Sequence, residues 1–122
     1  VILADTSVWI DHLRCNEPAL VDLLQRSQIL THPFVIGELA LGSLRQREIV
    51  LGALGNLPQA TMATDDEVLR AIDRWKLFAS GLGYIDAHLL ASAALTPGTA
   101  LWTRDKRLHV VAVRLGFDAG LN

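Results

Sequence analysis

Val1-Ile2-Leu3-Ala4-Asp5-Thr6-Ser7 opens the chain: four apolar residues run straight into an acid and two hydroxyls. A continuous apolar run of this kind suits a strand buried on both faces, and such strands occupy the middle of parallel sheets. Thr6 or Ser7 then stands where a cap is needed for a helix over Val8-Trp9-Ile10-Asp11-His12-Leu13. Asp5 therefore falls where a central strand ends and a helix begins. In open α/β sheets, ligands bind at that carboxyl edge. The expectation is that three other acids, from distant parts of the chain, gather around Asp5 and hold a divalent metal.

The rest of the chain alternates in the same way. Pro18 suits the first turn of a helix over Ala19 to Arg26, with Leu20, Leu23 and Leu24 on its inner face. Gln28 to Thr31 reads as a second strand. His32-Pro33 starts a helix to about Gly42, and Arg45 to Leu54 forms another. Leu57 to Ala63 has room for a short edge strand. Thr64-Asp65-Asp66-Glu67 is a hydroxyl cap followed by acids, which favours a helix start. That helix is predicted to run through Val68, Leu69, Ile72, Trp75 and Phe78. Tyr84 to Leu95 is a further apolar helix, Ala100 to Thr103 a strand, and Lys106 to Leu115 the last helix, with Gly116 past its end. Phe117 is placed to begin a short closing strand. Strands alternating with helices predict an α/β fold with a small parallel sheet.

The chain of 122 residues is long enough for one domain with a real core and too short for two, so residues 1–122 are read as a single domain. Half of it is apolar, which argues for a folded chain rather than a disordered one. No apolar run approaches the roughly 20 residues that span a bilayer, no leader is recognised, and a cytoplasmic location is expected. The sequence begins after an initiator Met or has been trimmed. Cys15 is the only cysteine, which excludes an internal disulfide and a cysteine-based zinc site. The formal net charge of −2 counts against wrapping long stretches of nucleic acid. It does not exclude a small catalytic site, because bound cations change the local field.

Thirteen acids are present, so what matters is each one's neighbours three and four positions away. Glu38 has Phe34, Val35, Leu41 and Gly42. Asp86 has Leu82, Gly83, Leu89 and Leu90. Each therefore lies in an apolar stripe and is expected to face the body of the protein. Glu67, Asp73 and Asp22 have basic or amide neighbours and read as solvated surface. Asp65 and Asp66 read as helix-start acids, while Asp11 and Glu48 have mixed neighbours. An inward carboxylate costs several kcal/mol unless it is paired or metal-bound. A buried Arg partner or a hydrogen-bonded network is the competing explanation for Glu38 and Asp86. Asp105 follows the strand Ala100–Thr103 at the turn into a helix, mirroring Asp5, and a simple helix cap is its competing role.

Four carboxylates brought together repel, so their pKa values rise or cations neutralise them. An all-oxygen set without cysteine or clustered histidine suits Mg²⁺ or Mn²⁺. Such a site can activate water for in-line attack on a phosphodiester. No serine or cysteine with a paired base offers itself as a nucleophile. His12, His32, His88 and His109 are scattered and read as structural.

Asp5-Thr6-Ser7, Glu38, Asp86 within Tyr84-Ile85-Asp86-Ala87-His88-Leu89-Leu90-Ala91, and Thr103-Arg104-Asp105 together resemble the four acidic motifs of PIN-domain ribonucleases. The opening Asp5-Thr6-Ser7-Val8-Trp9-Ile10-Asp11-His12-Leu13 is similar to the VapC toxins of bacterial toxin–antitoxin pairs. The resemblance covers essentially the whole chain. It implies a PIN-like fold, a small central parallel sheet flanked by helices, and a Mg²⁺- or Mn²⁺-dependent endoribonuclease. It also implies a homodimer and inhibition by a VapB-type antitoxin. Asp5, Glu38, Asp86 and Asp105 match the catalytic, metal-binding acids. Thr6 and Thr103 match hydroxyls that support carboxylate geometry.

Arg104, Lys106 and Arg107 flank Asp105 and are candidates for RNA phosphate contact, against the alternative of a solvated helix face. Trp9, Trp75 and Trp102 read as core or interface residues. Trp9 and the Glu17–Leu24 segment are the candidates for partner contact. Two other readings compete: a PIN-domain nuclease outside a toxin–antitoxin pair, and a phospho-acceptor receiver domain. The receiver needs an acid pair after the first strand and a Lys near the last strands. Asp5 is followed by two hydroxyls instead, and no strand-end Lys is evident.

Overall fold

The opening strand is the middle of the sheet. The computed structural model describes all of residues 1–122. In it β1 (Ile2–Ala4) lies between β2 (Ile29–Leu30) and β3 (Ala100–Trp102), in the order β2-β1-β3. Both pairings are parallel, with Leu3 opposite Leu30 and Leu101, and Ala4 opposite Trp102. Leu3 and Ala4 are fully buried, as an apolar run flanked by two strands demands.

The two expected outer strands shrink to single bridges, Thr31 with Gln59 and Leu101 with Asp118. Thr31 N–H donates to the Pro58 carbonyl at 2.8 Å, and its own carbonyl accepts from Ala60 N–H at 2.9 Å. Pro58 has no N–H with which to extend that ladder. On the other side Leu101 makes the same two bonds, to the Phe117 carbonyl and from Ala119 N–H. Pairing then stops as Gly120 turns the chain at φ 73°. Each bridge still covers an edge that would otherwise expose unpaired backbone.

Seven helices flank the sheet: α1 (Thr6–Cys15), α2 (Pro18–Gln25), α3 (Pro33–Ala40), α4 (Arg47–Gly55), α5 (Asp65–Arg74), α6 (Tyr84–Leu95) and α7 (Lys106–Leu115). The expected Tyr84–Leu95 helix has the predicted bounds. It is apolar nearly all round and buried from Ala87 to Ala93. α5 begins with the predicted cap, in which Thr64 and Glu67 bond each other's backbone. It ends four residues before Phe78 because Lys76 takes a left-handed conformation, φ 54°. Leu77 N–H then reaches back to the Ile72 carbonyl, and Lys76 N–H to that of Asp73. Leu77 is buried, so the apolar pattern outlasts the helix, whereas Phe78 is exposed. α3 and α4 differ from their predicted bounds by a few residues at the loop between them, where Gln46 also has a positive φ.

Trp9 and Trp102 are buried in the core, and Trp75 packs edge-on against Phe117. The expectation that Trp9 contacts a partner therefore fails, since its ring is occupied inside the fold. No helix is long and apolar enough to cross a membrane.

Candidate metal centre

The carboxyl edge of the sheet places Asp5 directly after β1 and Asp105 shortly after β3. Asp5, rather than Thr6 or Ser7, is the cap of α1, accepting from Val8 N–H at 3.4 Å. Asp105 caps α7 by accepting from Leu108 N–H at 3.0 Å. The capping role and the strand-end position thus coexist in both residues.

Asp5 is the buried member of the set, 5% exposed. Ser7 hydroxyl donates to its Oδ1 at 2.5 Å, and Thr103 hydroxyl donates to its Oδ2 at 2.5 Å. Each hydroxyl in turn accepts a backbone N–H from the following turn: Arg104 N–H reaches Ser7 at 2.9 Å, and Asp105 N–H reaches Thr103 at 3.0 Å. Burial raises the Asp5 pKa above its ordinary 3.8, and the bonds from Ser7, Thr103 and Val8 pull against that rise.

Glu38 comes from α3 and Asp86 from α6, two helices that touch through Phe34 and His88. Thr6 hydroxyl donates to Glu38 Oε1 at 2.6 Å, so Thr6 supports Glu38 while Thr103 supports Asp5. Asp86 Oδ2 accepts from Gly83 N–H at 3.3 Å in the first turn of α6. Its pKa is raised from 3.8, first by burial and then by the charges of Asp105, Asp5 and Glu38. The three other acids are therefore all within electrostatic reach of Asp86. The expected inward orientation holds only in part. Asp86 is half-buried, but Glu38 and Asp105 are exposed. Apolar neighbours at helical spacing flank these carboxylates without covering them.

None of the four pairs with a Lys or Arg. Arg26 pairs with Asp22, Arg104 with Asp11 and Glu17, and the remaining contacts join His88 to Asp65 and His109 to Asp118. Partial compensation comes from helix starts, since Asp5, Asp86 and Asp105 all lie at N-terminal ends of helices. No three acidic, His or Cys side chains approach closely enough to enclose one ion directly. A spaced, all-oxygen set of this kind fits Mg²⁺ or Mn²⁺, which keep several waters and take few protein ligands. It does not fit zinc, which favours a closed set of N and S ligands.

The three basic candidates separate. Arg104 turns away from the acids: its guanidinium bonds Asp11 at 2.7 Å, Glu17 at 2.5 Å and the Asn122 carbonyl at 2.9 Å. Lys106 is exposed on the first turn of α7, and Arg107 donates to the Gly81 carbonyl at 3.4 Å. Sequence reasoning missed Ser7 as a carboxylate support. Its signal was available: a hydroxyl two residues after a cap acid, in the first turn, returns naturally to that acid.

A model of the PIN domain matches residues 2–114, from β1 to the last turn of α7. This chain belongs to the PIN-domain family. The match includes all four acids of the PIN domain described above. Ribonuclease VapC32 of Mycobacterium tuberculosis, in strains CDC 1551 / Oshkosh and ATCC 25618 / H37Rv, is 53% identical over 116 residues. That alignment covers 95% of this PIN domain and 94% of each relative.

Proposed function

We propose that this PIN domain is a Mg²⁺- or Mn²⁺-dependent endoribonuclease that acts as the toxin of a VapBC-type pair. One observation carries the reading: Thr103 bonds both Asp5 and the Asp105 amide, Thr6, next to Asp5, bonds Glu38, and none of the four acids has a cationic partner. The identity to Ribonuclease VapC32 supports the same activity. One or two of Asp5, Glu38, Asp86 and Asp105 would hold the ion directly, and the others would act through its waters. When bound, it would supply positive charge to the phosphate and acidify water for in-line attack.

The chain's own residues prepare that site. Thr103 and Ser7 fix both oxygens of Asp5, and Thr6 fixes one oxygen of Glu38. The substrate would approach over a cleft of about 470 Å³ that opens beside Glu38, lined by Ile10, Leu13, Leu44, Arg14 and Arg45. Neither Arg14 nor Arg45 is in an ion pair. With Lys106 and Arg107 they are the side chains that would meet RNA phosphates. The proposal includes a VapB-type antitoxin, a homodimer, a cytoplasmic location and a single PIN domain over residues 1–122.

The test is cleavage of total cellular RNA by metal-stripped protein with Mg²⁺, Mn²⁺ or excess chelator. Divalent-dependent cuts that disappear in Asp5→Ala and Asp86→Ala are expected. Cleavage that survives the chelator, or both substitutions, overturns the metal mechanism.

A further inference from the structure

The two oxygens of Asp5 are held in matching ways, and both paths lead to one short turn. Oδ1 is bonded by Ser7, which accepts from Arg104 N–H. Oδ2 is bonded by Thr103, which accepts from Asp105 N–H. The direction of the Asp5 carboxylate is thus set by where the backbone of residues 103–105 sits. The same turn carries Asp105.

The Arg104 side chain fastens that turn to α1 and to the residue before α2. Nη1 donates to Asp11 at 2.7 Å and Nη2 to Glu17 at 2.5 Å. Nε and Nη2 also donate to the Asn122 carbonyl at 3.2 and 2.9 Å. The guanidinium carbon lies 5.7 Å from the centre of the Trp102 ring, in cation–π range. An isolated surface ion pair contributes little. Here one planar fork joins two carboxylates and a carbonyl, and the side chain is only 27% exposed. Four of its five N–H donors are thus engaged within the chain, which leaves one for a phosphate.

We infer that Arg104 is a positioning residue for Asp5 and Asp105, acting through the backbone of the turn it anchors to Asp11 and Glu17. The inference rests on the metal-dependent reading above. Arg104 touches neither acid with its side chain. It fixes the amides that fix the hydroxyls that aim Asp5. Groups one step removed from metal ligands commonly change metal affinity about 10–100-fold when lost.

The experiment uses Mn²⁺ alone as the probe, titrated calorimetrically into the metal-stripped full chain. Two variants remove the anchor from opposite ends: Arg104→Met, and Asp11→Asn combined with Glu17→Gln. Circular dichroism establishes that each is folded, and kcat and KM are measured on an RNA oligonucleotide. Both variants are expected to bind Mn²⁺ about 10-fold or more weakly and to lose kcat at little-changed KM. Should Arg104→Met fail to fold, the double variant, which leaves Arg104 in place, carries the test. Wild-type Mn²⁺ affinity in the folded variants overturns the inference while leaving the proposed function standing. A raised KM with weaker salt dependence and unchanged Mn²⁺ affinity also overturns it, by assigning Arg104 to RNA. If the wild type itself binds no Mn²⁺, the proposed function fails, and the inference with it.

Discussion

Thr103 hydroxyl donates to Asp5 Oδ2 at 2.5 Å, joining residues 98 positions apart. The two strand ends are adjacent in the sheet, Ala4 opposite Trp102, so the bond closes the carboxyl edge just beyond the last paired residues. Thr103→Val keeps the shape and removes the donor. Leaving a buried carboxylate short of one partner costs about 1–3 kcal/mol. The expected result is a lower melting temperature and weaker divalent binding, with Thr103→Ser retaining most of both. Equal melting temperatures for Thr103→Val and wild type would mean that the bond contributes nothing.

Asp5 and Asp86 both have raised pKa values, so the folded chain holds their protons more tightly than the unfolded chain does. Their favourable contribution is complete below about 3.8 and is lost as pH rises through the raised folded values. Metal-free protein should therefore lose stability from these groups on going from pH 4 towards neutrality. Asp86→Asn removes one such group. It is expected to make the chelated protein more resistant to urea at pH 7 and to flatten this part of the pH profile. A variant less stable than wild type at pH 7 would show that the negative charge of Asp86 is net stabilising at the start of α6.

The fold was largely legible because its deciding signals are local. An apolar run ending in an acid places β1, Thr64 and Glu67 place the start of α5, and the mostly apolar α6 declares its burial. The strand-end positions of Asp5 and Asp105 were legible, whereas the apolar stripe around Glu38 pointed to a buried side chain and the side chain is exposed. The end of α5 was not legible, because Leu77 continues the apolar pattern after a left-handed Lys76 has stopped the helix. The two outer bridges were over-read as strands, since two hydrogen bonds to one residue leave no longer pattern in the sequence. Arg104 looked like a phosphate contact because its partners, Asp11 and Glu17, are 93 and 87 positions away. Nothing in local spacing points to them.

His32 is fully buried and caps α3, its Nδ1 accepting from Phe34 N–H at 3.0 Å. Nε2 therefore carries the proton of the neutral ring and donates to Ser92 hydroxyl at 3.0 Å. Burial, and then the nearby His88, push its pKa down from 6.5 to about 4. With the folded value depressed, neutral His32 contributes stability above about 6.5 that is lost as pH falls towards about 4. The full effect is roughly 3 kcal/mol, opposite in sign to that of the carboxylates. His32→Asn keeps a capping oxygen without a titrating group. Chemical unfolding at pH 4 to 7 should show a shallower acid loss in this variant than in wild type. Parallel profiles would exclude His32 as a source of the acid sensitivity.

Divalent ions and protons compete for the same carboxylates, which links metal binding to pH. A ligand that binds only the folded state stabilises by about 2.7 kcal/mol at 100 times its dissociation constant. Mn²⁺ should therefore raise the melting temperature of metal-stripped protein. The rise should be larger at pH 7.5 than at pH 5, because Asp86 and Asp5 are protonated more readily than ordinary acids. Asp86→Asn should raise the starting temperature and shrink the Mn²⁺ increment, two shifts of opposite sign from one substitution. A variant that only loosened the fold would lower the first and leave the second in place. Calorimetric melts at both pH values, with and without Mn²⁺, separate the cases. An increment independent of pH and of Asp86 would place the ion away from the carboxyl edge.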